Sequence, residues 1–263
     1  MIYDVFMFFN ELDLLEIRLE ELWDVVDKFV ITEATTTHRG QPKKMYYQEN
    51  IDRFEKYQEK IIHLTMDNLR SENYFKAERV QRNFFLDKMQ IQDDDVLILG
   101  DVDEIPKSSE IQKYNLPEKM NIHERVFLVQ TLHHYYVNYV STKYKWRGPF
   151  MATGKVLREI SPVGLRRKTQ KGSTRGITCR DGGWHFSYLG GPAEVLYKIN
   201  NIAHKEEASK SIEITYDNIV SRMNRGESLF DDGIKYELNN NIELPNYLTK
   251  NKEKFSHLFY DGS

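Results

Sequence analysis

Two periods of apolar positions alternate along the first hundred residues. Residues 2–9, IYDVFMFF, form an apolar run broken only by Asp4, of the length a buried strand takes. Past Asn10 the period lengthens: Leu12, Leu15, Leu19 and Leu22 recur at helical spacing, with Asn10 as the expected N-cap. KFVITEA (28–34) and KIIHLTM (60–66) read as further strands, separated by a helical segment at IDRFEKYQ (51–58). SENYFKAERVQRNFFLDKMQ (71–90) reads as a long amphipathic helix capped by Ser71, and DVLILG (95–100) as a fourth strand. Strands alternating with helices predict an α/β fold with a mostly parallel sheet covered on both faces by right-handed crossovers. Ligands of such sheets sit beyond the carboxyl ends of the strands.

After Pro106 the texture changes. ERVFLVQTLHHYYVNYV (124–140) is β-rich and aromatic, and the stretch from Pro149 to Gly191 is broken by glycines and basic residues. GGPAEVLYKINNIAH (190–204) and TYDNIVSRMNRGES (215–228) read as helices. With no internal repeat and no linker-like run, the expectation is one domain over 1–263. It would have a nucleotide-binding half (1–106) and a mixed, acceptor-side half (107–263).

Composition narrows the classes. The 263 residues are 40% hydrophobic and 29% charged, which suits a soluble globular chain with a sizeable core. A net charge of −3 argues against broad nucleic-acid binding. The single cysteine, Cys179, excludes an intrachain disulfide framework and a four-thiolate zinc site. The N-terminus lacks a basic n-region, and no window approaches the ~20 apolar residues of a spanning helix. The expectation is a cytoplasmic chain that meets any membrane-bound partner from the soluble side.

Candidate chemistry concentrates in DVDEIP (101–106), directly after the fourth strand. In extended backbone, residues i and i+2 project to one side, so Asp101 and Asp103 can face one divalent ion that also takes phosphate oxygens. The alternative is a strand end solvated by acids and leading into the helix SSEIQKYN (108–115). RDGGWHFSYLGG (180–191) brackets Trp184 and His185 with glycine pairs: either a ligand-approaching turn with a metal-binding imidazole, or a tight turn with a packed Trp and a core His. Lys76, Arg79 and Arg82 lie near one helix face and suit a diphosphate, or are solvated. LRRKTQKGSTR (165–175) reads as a mobile basic loop, and GESLFDDGIKYEL (226–238) places Asp231 and Asp232 in a turn, where one could be a base. P-loop, dinucleotide and nucleophile-elbow motifs are absent.

Taken in order, NELDLLEIRLEEL (10–22), FVITEA (29–34), DVDEIP, GGWHFSYLGG (182–191) and LPNYLTKNKEKFSHLF (244–259) resemble the pattern of glycosyltransferase family 17. The resemblance implies a GT-A-type nucleotide-sugar transferase fold, a UDP-sugar donor (UDP-N-acetylglucosamine), Mn²⁺ or Mg²⁺, a glycan or lipid-linked glycan acceptor, and inversion. Carried over by position, it makes Asp101, Asp103 and His185 the metal set. It places Glu33, Arg82, Asp101, Trp184 and Lys198 at the donor, with Trp184 lining the sugar pocket. Asp231 is the first choice of general base and Glu104 the second. The 140–180 region matches poorly, and Asp181 has no counterpart. A D-x-D phosphohydrolase with Asp101 as nucleophile and a non-catalytic carbohydrate-binding protein are the rival readings.

Overall fold

The amino-terminal apolar run becomes the middle of a parallel half-sheet. In the computed structural model, which describes residues 1–67, 69, 73–114, 125–171 and 176–261, strand β1 (Ile2–Phe8) lies between β2 (Lys28–Ala34) and the strand Val96–Asp101. The strand β3 (Ile61–Met66) flanks β2, and Val96–Asp101 is β4; all four run parallel. Mixed pairing extends the sheet through β5 (Glu104–Pro106), β6 (Arg125–His134), β7 (Tyr136–Thr153), β8 (Ile177–Cys179), β9 (Gly183–Ser187) and β10 (Glu237–Leu238). The order is β3-β2-β1-β4-β7-β6-β9-β5, with β8 on β6 and β10 on β7. The expected mostly parallel sheet is thus a mixed one. Its first four strands are parallel, and β7 then enters antiparallel to β4, although β6 pairs parallel with β8 and β9.

Helices cover both faces. On one, α1 (Leu12–Leu22) and the 3₁₀ segment Ile51–Lys60 bury Leu15, Leu19, Leu22 and Phe54 against Phe6, Phe29 and Ile98. The short α2 (Tyr46–Glu49) adds Tyr47 to that core. The helix α3 (Tyr74–Asn83) contacts β1 and β2. After α4 (Ser108–Tyr114), helices α5 (Gly154–Glu159) and α6 (Pro162–Gln170) pack Val156, Leu157 and Leu165 on the other face with Val5, Leu99 and Phe150. Helices α7 (Gly191–Asn201), α8 (Lys205–Ala208) and α9 (Tyr216–Asn224) share a further core built on Tyr135, Tyr139, Tyr188 and Tyr236. The helix α10 (Asn246–Lys250) buries Leu248 beside Trp184 and Phe186.

Three local expectations change. Asn10 does not cap α1; Glu11 occupies that place and folds its carboxylate onto the N–H groups of Phe9 and Asn10. Ser71 lies outside the described residues, and Asn73 caps α3 by accepting the Lys76 N–H at 3.1 Å. The first part of the basic run is helix and not loop: Ser161 caps it and Pro162 opens it, a good start because proline has no N–H to lose there. Residues 172–175 of that run lie outside the described residues. Among the described residues no helix is long and apolar enough to cross a membrane.

Asp4, the one charge in the first strand, is fully buried against an equally buried Arg18 of α1. Arg18 donates to Asp4 Oδ1 at 2.6 Å and Oδ2 at 2.7 Å. Its Nη1 also donates to the carbonyls of Asp101 (2.9 Å), Glu104 (2.9 Å) and Val102 (3.4 Å). A guanidinium with five fixed donors can satisfy both a carboxylate and a turn's carbonyls. The acidic turn after β4 is therefore fastened from beneath.

Candidate functional site

Beyond the carboxyl ends of β1 and β4 lies a cavity of ≈ 460 Å³, whose walls come from both halves of the chain. Phe8, Phe9, Thr36 and Thr37 line it, together with the charged Arg79, Arg82, Asp101, Asp103, Arg166 and Lys198 and with His134, Tyr188, Asp232 and Tyr236.

The strand ends at Asp101, and Val102 and Asp103 form a turn before β5. The alternation assumed for an extended D-x-D does not apply, and the two aspartates take different partners. Asp101 Oδ1 accepts from Arg82 Nη1 at 2.6 Å and its Oδ2 from Arg166 Nη2 at 2.8 Å. Burial disfavours its charge, but the Arg166 and Arg82 guanidiniums outweigh this and hold the carboxyl far below the usual range. Asp103 instead meets Lys198, whose Nζ donates to Oδ2 at 2.9 Å and pairs with Glu11 at 2.8 Å. Burial favours the neutral amine, yet the charges of Asp103 and Glu11 raise the Lys198 pKa well above its ordinary value.

His185 Nε2 stands 3.8 Å from Asp103 Oδ1, too far for a hydrogen bond, and among the described residues its buried Nδ1 has no partner. The ring packs on Trp146, with centroids 4.5 Å apart. Burial lowers its pKa despite the nearby Asp103, so it is a neutral nitrogen donor. The chemistry of this pair, a carboxylate oxygen and an imidazole nitrogen 3.8 Å apart on the cavity wall, is that of ligands to a divalent cation, although the other Asp103 oxygen already holds Lys198. The three-residue set is not assembled, however. Asp101 is turned to its arginines, and among the described residues no three His, Cys, Asp or Glu groups converge as they would around an ion.

Glu104 is fully buried and cannot serve as a base. Its oxygens accept from Arg166 (2.7 and 2.8 Å), Trp146 Nε1 (2.5 Å) and the Asp101 N–H (2.9 Å). With all four lone-pair positions filled, it anchors Arg166 and the turn. Gly148 passes this network, and a Cβ there would collide with Glu104, Trp146 and Arg166.

Trp184 does not line the pocket. Successive residues of β9 face opposite sides, so Trp184 and Phe186 enter the core with Ile105 and Leu248, whereas His185 and Ser187 face the cavity. The Trp184 indole N–H is spent on the Glu243 carbonyl at 2.9 Å. Glu33 is buried behind the wall, accepting from Lys43 and His63 at 3.1 Å each; Lys43 is what reaches the cavity. Asp231 is exposed on Arg222 at 2.7 Å, and its neighbour Asp232 is the one on the cavity wall. Of the three helix cations, Arg79 and Arg82 line the cavity and Lys76 does not.

Three residues that sequence reasoning missed complete the site: Trp146, Arg166 and His134. The Ser161-Pro162 pair was the available signal for Arg166, since a helix start there puts Val163, Arg166, Arg167 and Gln170 on one face. His134 and its neighbour His133 are both buried, and burial pushes each down to about 3. A folded value below the unfolded ~6.5 means that unfolding takes up protons, so stability is complete above pH ~6.5 and falls toward the folded value. Urea unfolding should show a loss of roughly 2 kcal/mol per histidine between pH 7 and pH 5; a flat profile there would contradict their buried, neutral state.

A mixed α/β sheet with a cation-rich cleft beyond its parallel strands defines the class. The chain belongs to glycosyltransferase family 17, whose model matches residues 1–262. It is 31% identical over 107 residues to the beta-1,4-mannosyl-glycoprotein 4-beta-N-acetylglucosaminyltransferases of Homo sapiens and Rattus norvegicus, covering 37% of this chain and 20% of each of those proteins. The match therefore spans about a fifth of these relatives' length. A solved structure of 4-diphosphocytidyl-2C-methyl-D-erythritol synthase superposes with a TM-score of 0.42 at 12% identity, over 69% of this chain and 88% of that one.

Proposed function

We propose that the cavity binds a UDP-sugar, with N-acetylglucosamine as the sugar, and that the chain transfers it with inversion to a hydroxyl of a glycan acceptor, on a GT-A-type arrangement. The observation that carries this reading is the pair Arg79 and Arg167. Both line the cavity beside the Arg82–Asp101–Arg166 cluster, and neither side chain has an ion pair among the described residues. Both are solvent-exposed at the cavity wall, and guanidiniums that carry no carboxylate there suit the oxygens of a diphosphate.

In this reading the arginines and Lys198 orient the diphosphate and stabilise the negative charge that grows as UDP departs, where fixed cations act most strongly. Asp103 and His185 would hold a Mn²⁺ or Mg²⁺ ion, which supplies further positive charge to the leaving group. Asp232 takes the role first given to Asp231: on the cavity wall it can accept the acceptor hydroxyl's proton during attack opposite UDP. Its Oδ1 is held by Ser228 Oγ and the Ile234 N–H, both at 2.9 Å, which fixes the carboxylate's orientation. Asp101, with both oxygens on guanidiniums, is poorly placed as a phosphohydrolase nucleophile.

A thermal-shift panel of UDP-, GDP- and CMP-sugars, each with and without Mn²⁺, tests the donor. A ligand of the native state at 100 times its Kd stabilises by about 2.7 kcal/mol. UDP-N-acetylglucosamine with Mn²⁺ should give the largest rise in Tm, and a panel in which no nucleotide moves Tm would sink the reading. Asp232→Asn should lower kcat about 10²- to 10⁴-fold, as loss of a general base does. Asp231→Asn, which removes an exposed carboxylate from Arg222 while Arg222 keeps the Ser228 and Ser211 carbonyls, should stay within about threefold of wild type. Equal losses in the two variants would refute the assignment of Asp232.

A further inference from the structure

His134, Tyr188 and Tyr236 together line the cavity. His134 is 2% exposed, and among the described residues neither ring nitrogen has a hydrogen-bond partner. A neutral imidazole carries one donor and one acceptor, and buried polar groups are almost always paired. Three tyrosine rings hold it in place: Tyr135 at 4.2 Å, Tyr236 stacked at 4.9 Å, and Tyr188 at 5.4 Å. Two of the three stand on strained backbone, Tyr135 at φ 65° and Tyr188 at φ 53°. Left-handed conformations are costly for residues with a Cβ, and they concentrate where a side chain must be aimed at a ligand. Lys198 links this wall to the acidic turn, its Nζ lying 5.7 Å from the Tyr188 ring centroid and 2.9 Å from Asp103.

We infer that this wall is the subsite of the transferred sugar and that His134 is a specificity-determining residue, hydrogen-bonding a polar substituent of a neutral pyranose. The inference rests on the sugar-nucleotide reading above. With the diphosphate on the arginines and the acidic turn, the sugar it carries would meet the His134 wall, which Lys198 joins to that turn and which shares the cavity with Asp232. Aromatic rings around one two-way hydrogen-bonding group suit a pyranose, which offers C–H faces and hydroxyl or acetamido edges. The imidazole is held neutral by burial, so a uronate carboxylate would find no counter-charge in it.

Isothermal titration of UDP, UDP-N-acetylglucosamine and UDP-glucuronic acid, with Mn²⁺, tests this on wild type and on His134→Phe. Wild type should bind UDP-N-acetylglucosamine about tenfold tighter than UDP and gain nothing from the uronate. The variant should lose that increment while its affinity for UDP stays within about twofold. In wild-type protein with ¹⁵N-labelled histidine, the His134 ring resonances should move on adding UDP-N-acetylglucosamine and stay in place with UDP, a readout that needs no variant to fold. An undiminished increment in His134→Phe, no increment in wild type, or unmoved resonances would overturn the subsite, and an internal water would then be the partner of His134. Binding of neither UDP nor its sugar by wild type would instead refute the sugar-nucleotide reading itself.

Discussion

Asp103→Ala should abolish metal-stimulated transfer from UDP-N-acetylglucosamine, lowering kcat by at least about 10³-fold, while the protein melts close to wild type. The size follows from how many groups meet at this carboxylate. It holds Lys198 through one oxygen and faces His185 with the other. Removing it takes the only carboxylate from the proposed ion pocket and releases the ammonium from its cavity-side partner. Each loss weakens charge stabilisation where the leaving group forms, and each such contact typically carries several kcal/mol of barrier lowering. Stability changes little because Lys198 retains Glu11 at 2.8 Å, so no buried charge is left alone. Asp103→Asn separates charge from shape: the amide fills the same space and should be nearly as inactive. A radiochemical transfer assay beside circular-dichroism melting checks both halves. Activity within tenfold of wild type, in a folded variant, would remove Asp103 from the chemistry.

What the sequence made legible was set by local periodicity. The four parallel strands, the helices at 191–201 and 216–224, and the location of the site beyond the strand ends all follow from apolar spacing and the geometry of parallel sheets. Side-chain destinations in turns did not follow, because they depend on partners distant in sequence. The spacing predicts Asp101 and Asp103 as extended neighbours, but the chain turns there, with Arg18 gathering the carbonyls of Asp101, Val102 and Glu104. Asp101 then faces Arg166, 65 residues away, and Asp103 faces Lys198, 95 residues away.

The tryptophans show the same limit. Trp184 in its glycine frame was the conspicuous one, yet the two-residue period of β9 lets only one of Trp184 and His185 face the cavity. Taking His185 as the ligand-facing residue already implied that Trp184 turns inward. Trp146 fills the site instead, from a stretch where the family pattern is weak. Asp231 and Asp232 could not be separated at all, since in a turn the direction of adjacent side chains depends on the exact dihedrals. Here Arg222 draws one outward and Ser228 holds the other in place.

Arg18→Ala should be the most damaging single change to stability, costing about 3–5 kcal/mol, the range for breaking one side of a buried ion pair. The pair has no solvent to fall back on: both side chains are fully buried. Alanine would strand Asp4 as an unpaired carboxylate within the central strand, remove a cation 4.5 Å from the Phe6 ring centroid, and leave the carbonyls of Asp101 and Glu104 without this donor. For a chain of this size the fall in Tm should be on the order of 10 °C. Arg18→Met with Asp4→Asn should lose less than Arg18→Met alone, because the stranded charge is gone. Even the double variant should transfer poorly, since the turn loses the donor that gathers the carbonyls of Asp101, Val102 and Glu104 and so sets the directions of Asp101 and Asp103. Denaturant unfolding of Arg18→Met, Asp4→Asn, their double variant and wild type closes the cycle, with Arg18→Ala measured alongside. An Arg18→Ala variant within 1 kcal/mol of wild type would show that the turn is held by something other than Arg18.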